Sequence, residues 1–287
     1  MKSYLGLVPI SAKVRKRQNR MTILCVIISI FLVTAIFSVA DMMIRTQSDR
    51  MTGKNGSWHI ELDGISQETA LKIAERDDVV SIGAVTIFNP DGELPYRMDG
   101  KRVVLYGIDE SYLTMNSTGA AEGRFPQGMG EIMLSSNAAR VLQVAVGDTV
   151  TLRTPSGDWD FTVSGLGGVE ESYYSGQYSL MDAYLPRTAF AALMEQNNVH
   201  NLQTSYYVQF TSASKAAKAI PELTAQHNLP ENAVSENTGV MAIAGQSDSS
   251  AAKNVYSLAA VLFVLVLLAG VLMISGSMNS NLAQRIQ

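Results

Sequence analysis

The sequence has a single cysteine, Cys25, and it lies inside an apolar run, so a disulfide framework is excluded and the chain must build its core from packing alone. No Gly-x-x-x-x-Gly-Lys-Ser/Thr phosphate loop is present, which removes ATP hydrolysis by that route. Nor is there a Gly-x-Ser-x-Gly elbow, and Gly165-Leu166-Gly167-Gly168 lacks the spacing of a dinucleotide loop. His59, His200 and His227 stand apart from one another without metal-ligand spacing, and read as surface or satisfied side chains. Paired acids such as Asp77-Asp78 and Glu170-Glu171 read as solvated faces. The expectation is a protein with no enzymatic activity, cofactor or metal of its own.

Acid is also missing where it would matter most. No Asp or Glu occurs among the first twenty residues, while Lys2, Lys13, Arg15, Lys16, Arg17 and Arg20 all do. Two long stretches then lack charge almost entirely, 21–40 and 254–281. Each is long enough to cross a bilayer as a helix, since roughly 20 apolar residues at about 1.5 Å rise span the hydrocarbon layer. The second has no polar face from Leu258 to Ala269, unlike the helix of a soluble core. Ser38-Val39-Ala40 resembles a signal-peptide cleavage site, but the apolar run from Met21 is longer than a signal core, which favours an uncleaved helix. The basic residues before the first run place that end in the cytoplasm.

All 26 acids lie between Asp41 and Asp248, against 15 of the 22 Lys and Arg between Arg45 and Lys253, so the middle segment carries 15 − 26 = −11. That charge argues against nucleic acid or anionic lipid as its ligand, whereas the basic N-terminus suits the anionic inner leaflet. The predicted organisation is a cytoplasmic basic segment (1–20), a transmembrane helix (21–44), an extracytoplasmic domain (45–253), a second transmembrane helix (254–276) and the start of a cytoplasmic segment (277–287).

Within the outer domain, 58–62 alternates as a half-buried strand, Ser66 caps a helix carrying Ala70, Ile73 and Ala74, and 79–88 returns as a strand. The same strand-helix-strand order recurs over 206–210, 212–227 and 233–235, with Pro221 expected to kink or split the helix. Two such units pair into a split ferredoxin-like α+β layer (58–108 and 204–240). Between them, 109–203 reads as an inserted small β-rich subdomain. Its strands are predicted at 131–134, 149–154, 159–163 and 178–185, with a hairpin at Pro155-Ser156-Gly157-Asp158 and short helices at 136–142 and 187–197. Residues 246–253, rich in Ser, Asp and Ala, read as a stalk.

The run Gly123-Arg124-Phe125-Pro126, then Glu131-Ile132-Met133-Leu134-Ser135, Ala138-Ala139, Gly147-Asp148-Thr149-Val150 and Phe161-Thr162-Val163-Ser164-Gly165, resembles the outside core domain of MacB-like, FtsX-like ABC transporter permeases. The order and spacing of these elements carry the resemblance, and Asn281-Leu282-Ala283-Gln284-Arg285-Ile286-Gln287 is similar to the start of the family's cytoplasmic coupling helix. The resemblance implies that the sequence is the N-terminal part of a longer permease. It implies a permease subunit worked by a separate cytoplasmic ATPase, paired with a second permease subunit or a second copy, and doing its work outside the membrane in export or in lipoprotein or peptide handling. By that analogy Lys13, Arg15, Lys16, Arg17 and Arg285 are the candidate contacts to the ATPase or the inner leaflet. Tyr173, Tyr174 and Tyr178 form a candidate extracytoplasmic interaction loop, their rings burying area while keeping a polar tip. The alternative is a two-helix membrane receptor whose outer domain senses a ligand.

Overall fold

The structure is a computed structural model that describes residues 16–116, 119–167, 180–243 and 251–283. It divides into two units, Met1–Gln47 with Ser249–Gln287, and Ser48–Asp248.

Among the described residues, two largely apolar helices make the first unit. Helix α1 runs from Lys16 to Asn55, well past the predicted end at residue 44, and its segment Val26–Gly53, 28 residues, is long and apolar enough to cross a membrane. Ile30 and Phe31 stand 62% and 69% exposed, which in water would be a standing cost and in hydrocarbon is not. The last helix of the chain, α8 (Ala251–Ala283), meets α1 through small residues: Ala40 and Ala259 are buried, Phe37 and Phe263 lie 5.7 Å apart between ring centroids, and Gly270 sits against Ser29. Small side chains let the two helix backbones approach closely.

The second unit is built on one sheet. The first strand-helix-strand unit is β1 (Ile60–Asp63), α2 (Gln67–Ala74) and β2 (Val79–Phe88); the late one is β10 (Thr204–Phe210), α6 (Ala213–His227) and β11 (Val234–Glu236). Both helices start where a serine hydroxyl accepts an orphan backbone N–H: Ser66 from Thr69 at 3.1 Å, Ser212 from Lys215 at 3.3 Å. The four strands lie in the order β11-β1-β10-β2, every neighbour antiparallel, so the two units interleave. Both helices cover one face, packing Ile73 and Ala216, Ala219 and Leu223 onto Ile60, Leu62, Tyr206 and Val208. Helix α6 runs unbroken through Pro221, so it is not split there. Pro221 faces solvent, the side of the helix on which water can replace the hydrogen bond its ring removes.

From β2 the sheet continues into β4 (Lys101–Ile108), an apolar segment that the period-2 reading passes over because both of its faces are buried. Val103 and Leu105 point one way, Val104 and Ile108 the other, and all four are at most 3% exposed. On one edge β4 pairs with β2 and with the two-residue β3 (Arg97–Met98); on the other it runs parallel to β9 (Leu180–Pro186) along its length. The chain adds β5 (Ala120–Gly123), β6 (Glu131–Ser135), β7 (Thr149–Thr154) and β8 (Gly157–Gly167). The pairings β4-β3, β3-β7, β7-β8, β8-β6, β6-β9 and β9-β4 close a six-stranded ring. Alternate residues of every strand fill it, among them Met98, Leu105, Leu134, Leu152, Phe161 and Leu185, each 1% exposed or less. Each such side chain removed from water contributes about 1.5–3 kcal/mol. The expected hairpin at Pro155-Ser156 joins β7 to β8, with Thr154 opposite Gly157.

Four more α-helices among the described residues complete the unit: α3 (Glu110–Met115), α4 (Ser136–Leu142), α5 (Arg187–Gln196) and, after β11, the short α7 (Thr238–Ile243). α4 and α5 lie at the short helices that the sequence predicts over 136–142 and 187–197, whereas α3 and α7 are additional to the sequence expectation.

Candidate functional site

The motif residues converge on one corner of the ring. Gly123 ends β5 with φ +73°, a left-handed turn that a side chain would strain and that also brings it against Gly165 of β8. At Gly165 a Cβ would collide with the Arg124 carbonyl, and Ser164 donates its hydroxyl to the carbonyls of Arg124 and Ile132, each at 3.3 Å. The turn of Gly147 and Asp148 closes on the same strand: Gly147 N–H donates to Val163 O at 2.8 Å, and the Asp148 carboxylate accepts from Ala145 N–H at 2.8 Å. Glu131, at the head of β6, is the hub. It receives a two-pronged ion pair from Arg124 and the backbone N–H groups of Gln127 at 2.8 Å and Gly128 at 3.1 Å. The Arg124 guanidinium and then those two N–H groups hold its carboxyl at about 2. Spent on the chain itself, these groups form a latch that fixes the 124–130 loop between β5 and β6.

A second constellation lies on the sheet face opposite α2 and α6. Strand alternation that buries Ile60 and Leu62 turns Glu61 and Asp63 outward, and β10 likewise turns out Ser205 and Tyr207. Register sets Glu61 beside Tyr207 and Asp63 beside Ser205. The Tyr207 hydroxyl donates to Glu61 Oε1 at 2.7 Å, and the Ser205 hydroxyl donates to the Asp63 carboxylate. Two more rings meet Tyr207 edge to face: Trp58 at 4.8 Å and Tyr112 at 5.1 Å between centroids. Tyr112 is carried by α3, whose cap Asp109 accepts from Tyr112 N–H with one oxygen and from Ala84 N–H of β2 with the other, both at 2.9 Å. Gly83 makes room for this helix, since a Cβ there would lie 2.6 Å from Tyr112 Cα. Farther along, Tyr106 and Tyr184 stack at 5.0 Å beside Asp182.

Burial governs the electrostatics of this face. It pushes the Glu61 carboxyl up, opposed by the Tyr207 hydroxyl and reinforced by the charge of Asp63. It raises Asp182 against the Tyr106 hydrogen bond, and Asp109 against its two backbone donors. Tyr112 is pushed up to about 12 by burial and by the charges of Glu61 and Asp182, and Tyr207 rises for the same first reason. Among the described residues no ion pair to Lys or Arg engages Glu61, Asp63 or Asp182. The face therefore presents negative charge between aromatic walls.

Of the residues singled out from sequence, Lys13, Arg15, Arg285, Tyr173, Tyr174 and Tyr178 lie outside the described residues, as does most of the expected stalk at 246–253. Lys16 and Arg17 form the first turn of α1. His59 is buried, its Nδ1 accepting from Phe210 N–H at 3.1 Å, and burial lowers its pKa. No group of three His, Cys, Asp or Glu is placed to hold a metal among the described residues. Clefts among the described residues include one of about 530 Å³ beside Arg97 and Arg153 and one of about 400 Å³ beside Phe190 and His200. The acidic, aromatic face was not foreseen; the alternation of Glu61 and Asp63 with Ile60 and Leu62 was its only local signal.

Residues 21–226 match the family model described as the MacB-like periplasmic core domain. The chain is similar to several solved structures. The periplasmic region of MacB from Actinobacillus actinomycetemcomitans is 14% identical, with a TM-score of 0.47 over 66% of this chain and 93% of that one. The extracellular domain of the noncanonic ABC-type transporter YknZ from Gram-positive bacteria is 15% identical, with a TM-score of 0.44 over 62% and 98%. No curated protein matches the chain.

Proposed function

We propose that the chain, which belongs to the MacB-like periplasmic core domain family, is the permease subunit of an ABC transporter of the mechanotransmission type. A partner ATPase hydrolyses ATP in the cytoplasm, and the resulting motion is delivered to the outer domain for export or for lipoprotein or peptide handling. The observation that carries this reading is the family match, which takes in both the apolar span of α1 and most of the outer domain. α8 is read as the second membrane helix, since Leu258, Val261, Leu265 and Leu272 leave it apolar on its exposed sides. The basic N-terminus then places both ends of the chain in the cytoplasm and the −11 segment outside. Lys13, Arg15, Lys16, Arg17 and Arg285 are assigned to the ATPase or the inner leaflet, and the loop bearing Tyr173, Tyr174 and Tyr178 to a second permease subunit, a second copy or the handled molecule.

Purification of the protein from its native membranes with its neighbouring gene products, followed by an ATPase assay, tests the proposal. An associated ATPase whose activity responds to the chain is expected. Recovery of the chain alone, with a signalling output, would favour the receptor reading.

A further inference from the structure

We propose that the outward face of β1 and β10 is a docking surface for a cationic stretch of polypeptide, which seats arginine or lysine side chains against the carboxylates of Glu61 and Asp63 and the rings of Trp58, Tyr207 and Tyr112. This deepens the permease reading by naming the chemistry of what the outer domain engages, and rests on it only for the side of the membrane.

Three features converge. Glu61 and Asp63 each accept a hydroxyl hydrogen bond, from Tyr207 and Ser205, yet an ionised carboxylate offers about four lone-pair sites, so most of their accepting capacity is unused. No cation among the described residues neutralises either of them. The three rings form a connected edge-to-face cluster on the same side of the sheet, and aromatic faces attract guanidinium and ammonium groups. A guanidinium satisfies both demands at once: its fork matches a carboxylate and its plane stacks on a ring.

Charge selects among occupants. The segment that carries this face has a net charge of 15 − 26 = −11, so a second copy of the domain, an anionic lipid surface and a nucleic acid are all repelled from it. A basic polypeptide is drawn in, and the half-buried carboxylates supply the short-range grip. The cleft at Arg97 offers no comparable site for an anion, because that guanidinium is spent on the carbonyls of Gly92, Leu94 and Tyr96.

The test uses the full chain in detergent micelles with Trp159→Phe, which leaves Trp58 as the only tryptophan. Octa-arginine is titrated at about 150 mM salt, where long-range attraction between exposed charges is largely screened, with octaglutamate as the control. Octa-arginine is expected to change Trp58 emission saturably and octaglutamate to leave it unmoved. The double variant Glu61→Gln, Asp63→Asn should weaken octa-arginine binding about tenfold or more, whereas Glu75→Gln, Asp77→Asn, at exposed acids beyond α2, should change it less than about twofold. Circular dichroism reports whether each variant is folded, and the single Asp63→Asn variant, expected to weaken binding severalfold, serves if the double one is not. Equal weakening by both pairs, unchanged binding in Glu61→Gln, Asp63→Asn, or binding that leaves Trp58 unmoved would overturn the proposal. None of these outcomes bears on whether an ATPase co-purifies, so the two readings fail separately.

Discussion

Replacing Glu131 by Gln removes the charge at the centre of the corner latch while leaving its shape. In the native chain one carboxylate oxygen accepts from Gln127 N–H, Gly128 N–H and Arg124 Nη1, and the other from Arg124 Nη2. An amide keeps one oxygen for the backbone donors but turns an N–H₂ against the guanidinium, donor facing donor. The Arg124 and Glu131 side chains are 53% and 24% exposed, so solvent screens the ion pair and its share is small. Weakening the two charge-assisted backbone N–H bonds to the carboxylate costs about 1–2 kcal/mol. That loss corresponds to a fall in Tm of about 2–8 °C for a domain of this size. Because the folded carboxyl is depressed from 4.5 to about 2, its contribution is complete above the unfolded value and is lost as pH falls from about 4.5 through about 2. Thermal melts of the full chain and the Glu131→Gln variant, followed by circular dichroism from pH 7 to 2.5, should therefore show a gap that is widest near neutrality and closes in acid. A gap of constant size across that range, or no gap at pH 7, would refute the reasoning.

The remaining predictions concern packing and placement. Gly83→Ala puts a Cβ 2.6 Å from Tyr112 Cα and 2.7 Å from Met115 Cε, so α3 must move; a loss of about 1–3 kcal/mol is expected in denaturant titration, and unchanged stability would mean that α3 does not rest on β2 there. Leu105→Ala empties a fully buried position inside the six-stranded ring and should cost about 2–5 kcal/mol, where a loss below 1 kcal/mol would argue against a closed core. In intact cells a membrane-impermeant thiol reagent should label Ser156→Cys and spare Ser3→Cys; the reverse pattern would invert the topology. Val264→Arg sets a charge near the middle of α8 and should oppose insertion by about 2.5–3.5 kcal/mol, so unchanged insertion would count against a lipid-embedded α8.

Local chemistry determined much of this protein from the sequence alone. Ser66 announces a helix start, because a short hydroxyl that can reach an N–H two or three residues ahead is useful there and costly elsewhere, and it caps α2 as Ser135 and Ser212 cap α4 and α6. The alternation of 58–62 and 206–210, the turn at Pro155-Ser156 and the uncharged length of the first span were equally legible, since each depends on neighbours within a few residues. Pro221 shows the limit of such reading: the same ring that disrupts a buried helix is tolerated on a side where water can replace the hydrogen bond it removes, and only packing reveals which face it occupies.

What the tertiary structure alone decided is which distant segments share an edge. β4 gave no alternation because two cores claim its two faces, and its parallel partner β9 lies more than seventy residues onward in the chain. Arg124 and Glu131 were visible as a motif, but that they are a latch follows from the loop between them folding back onto β8. Glu61 and Tyr207 are 146 residues apart in sequence. Neither carries any local mark of the other, because strand order and register are set by the closure of whole cores, a property of the summed burial of many side chains and not of any window of sequence.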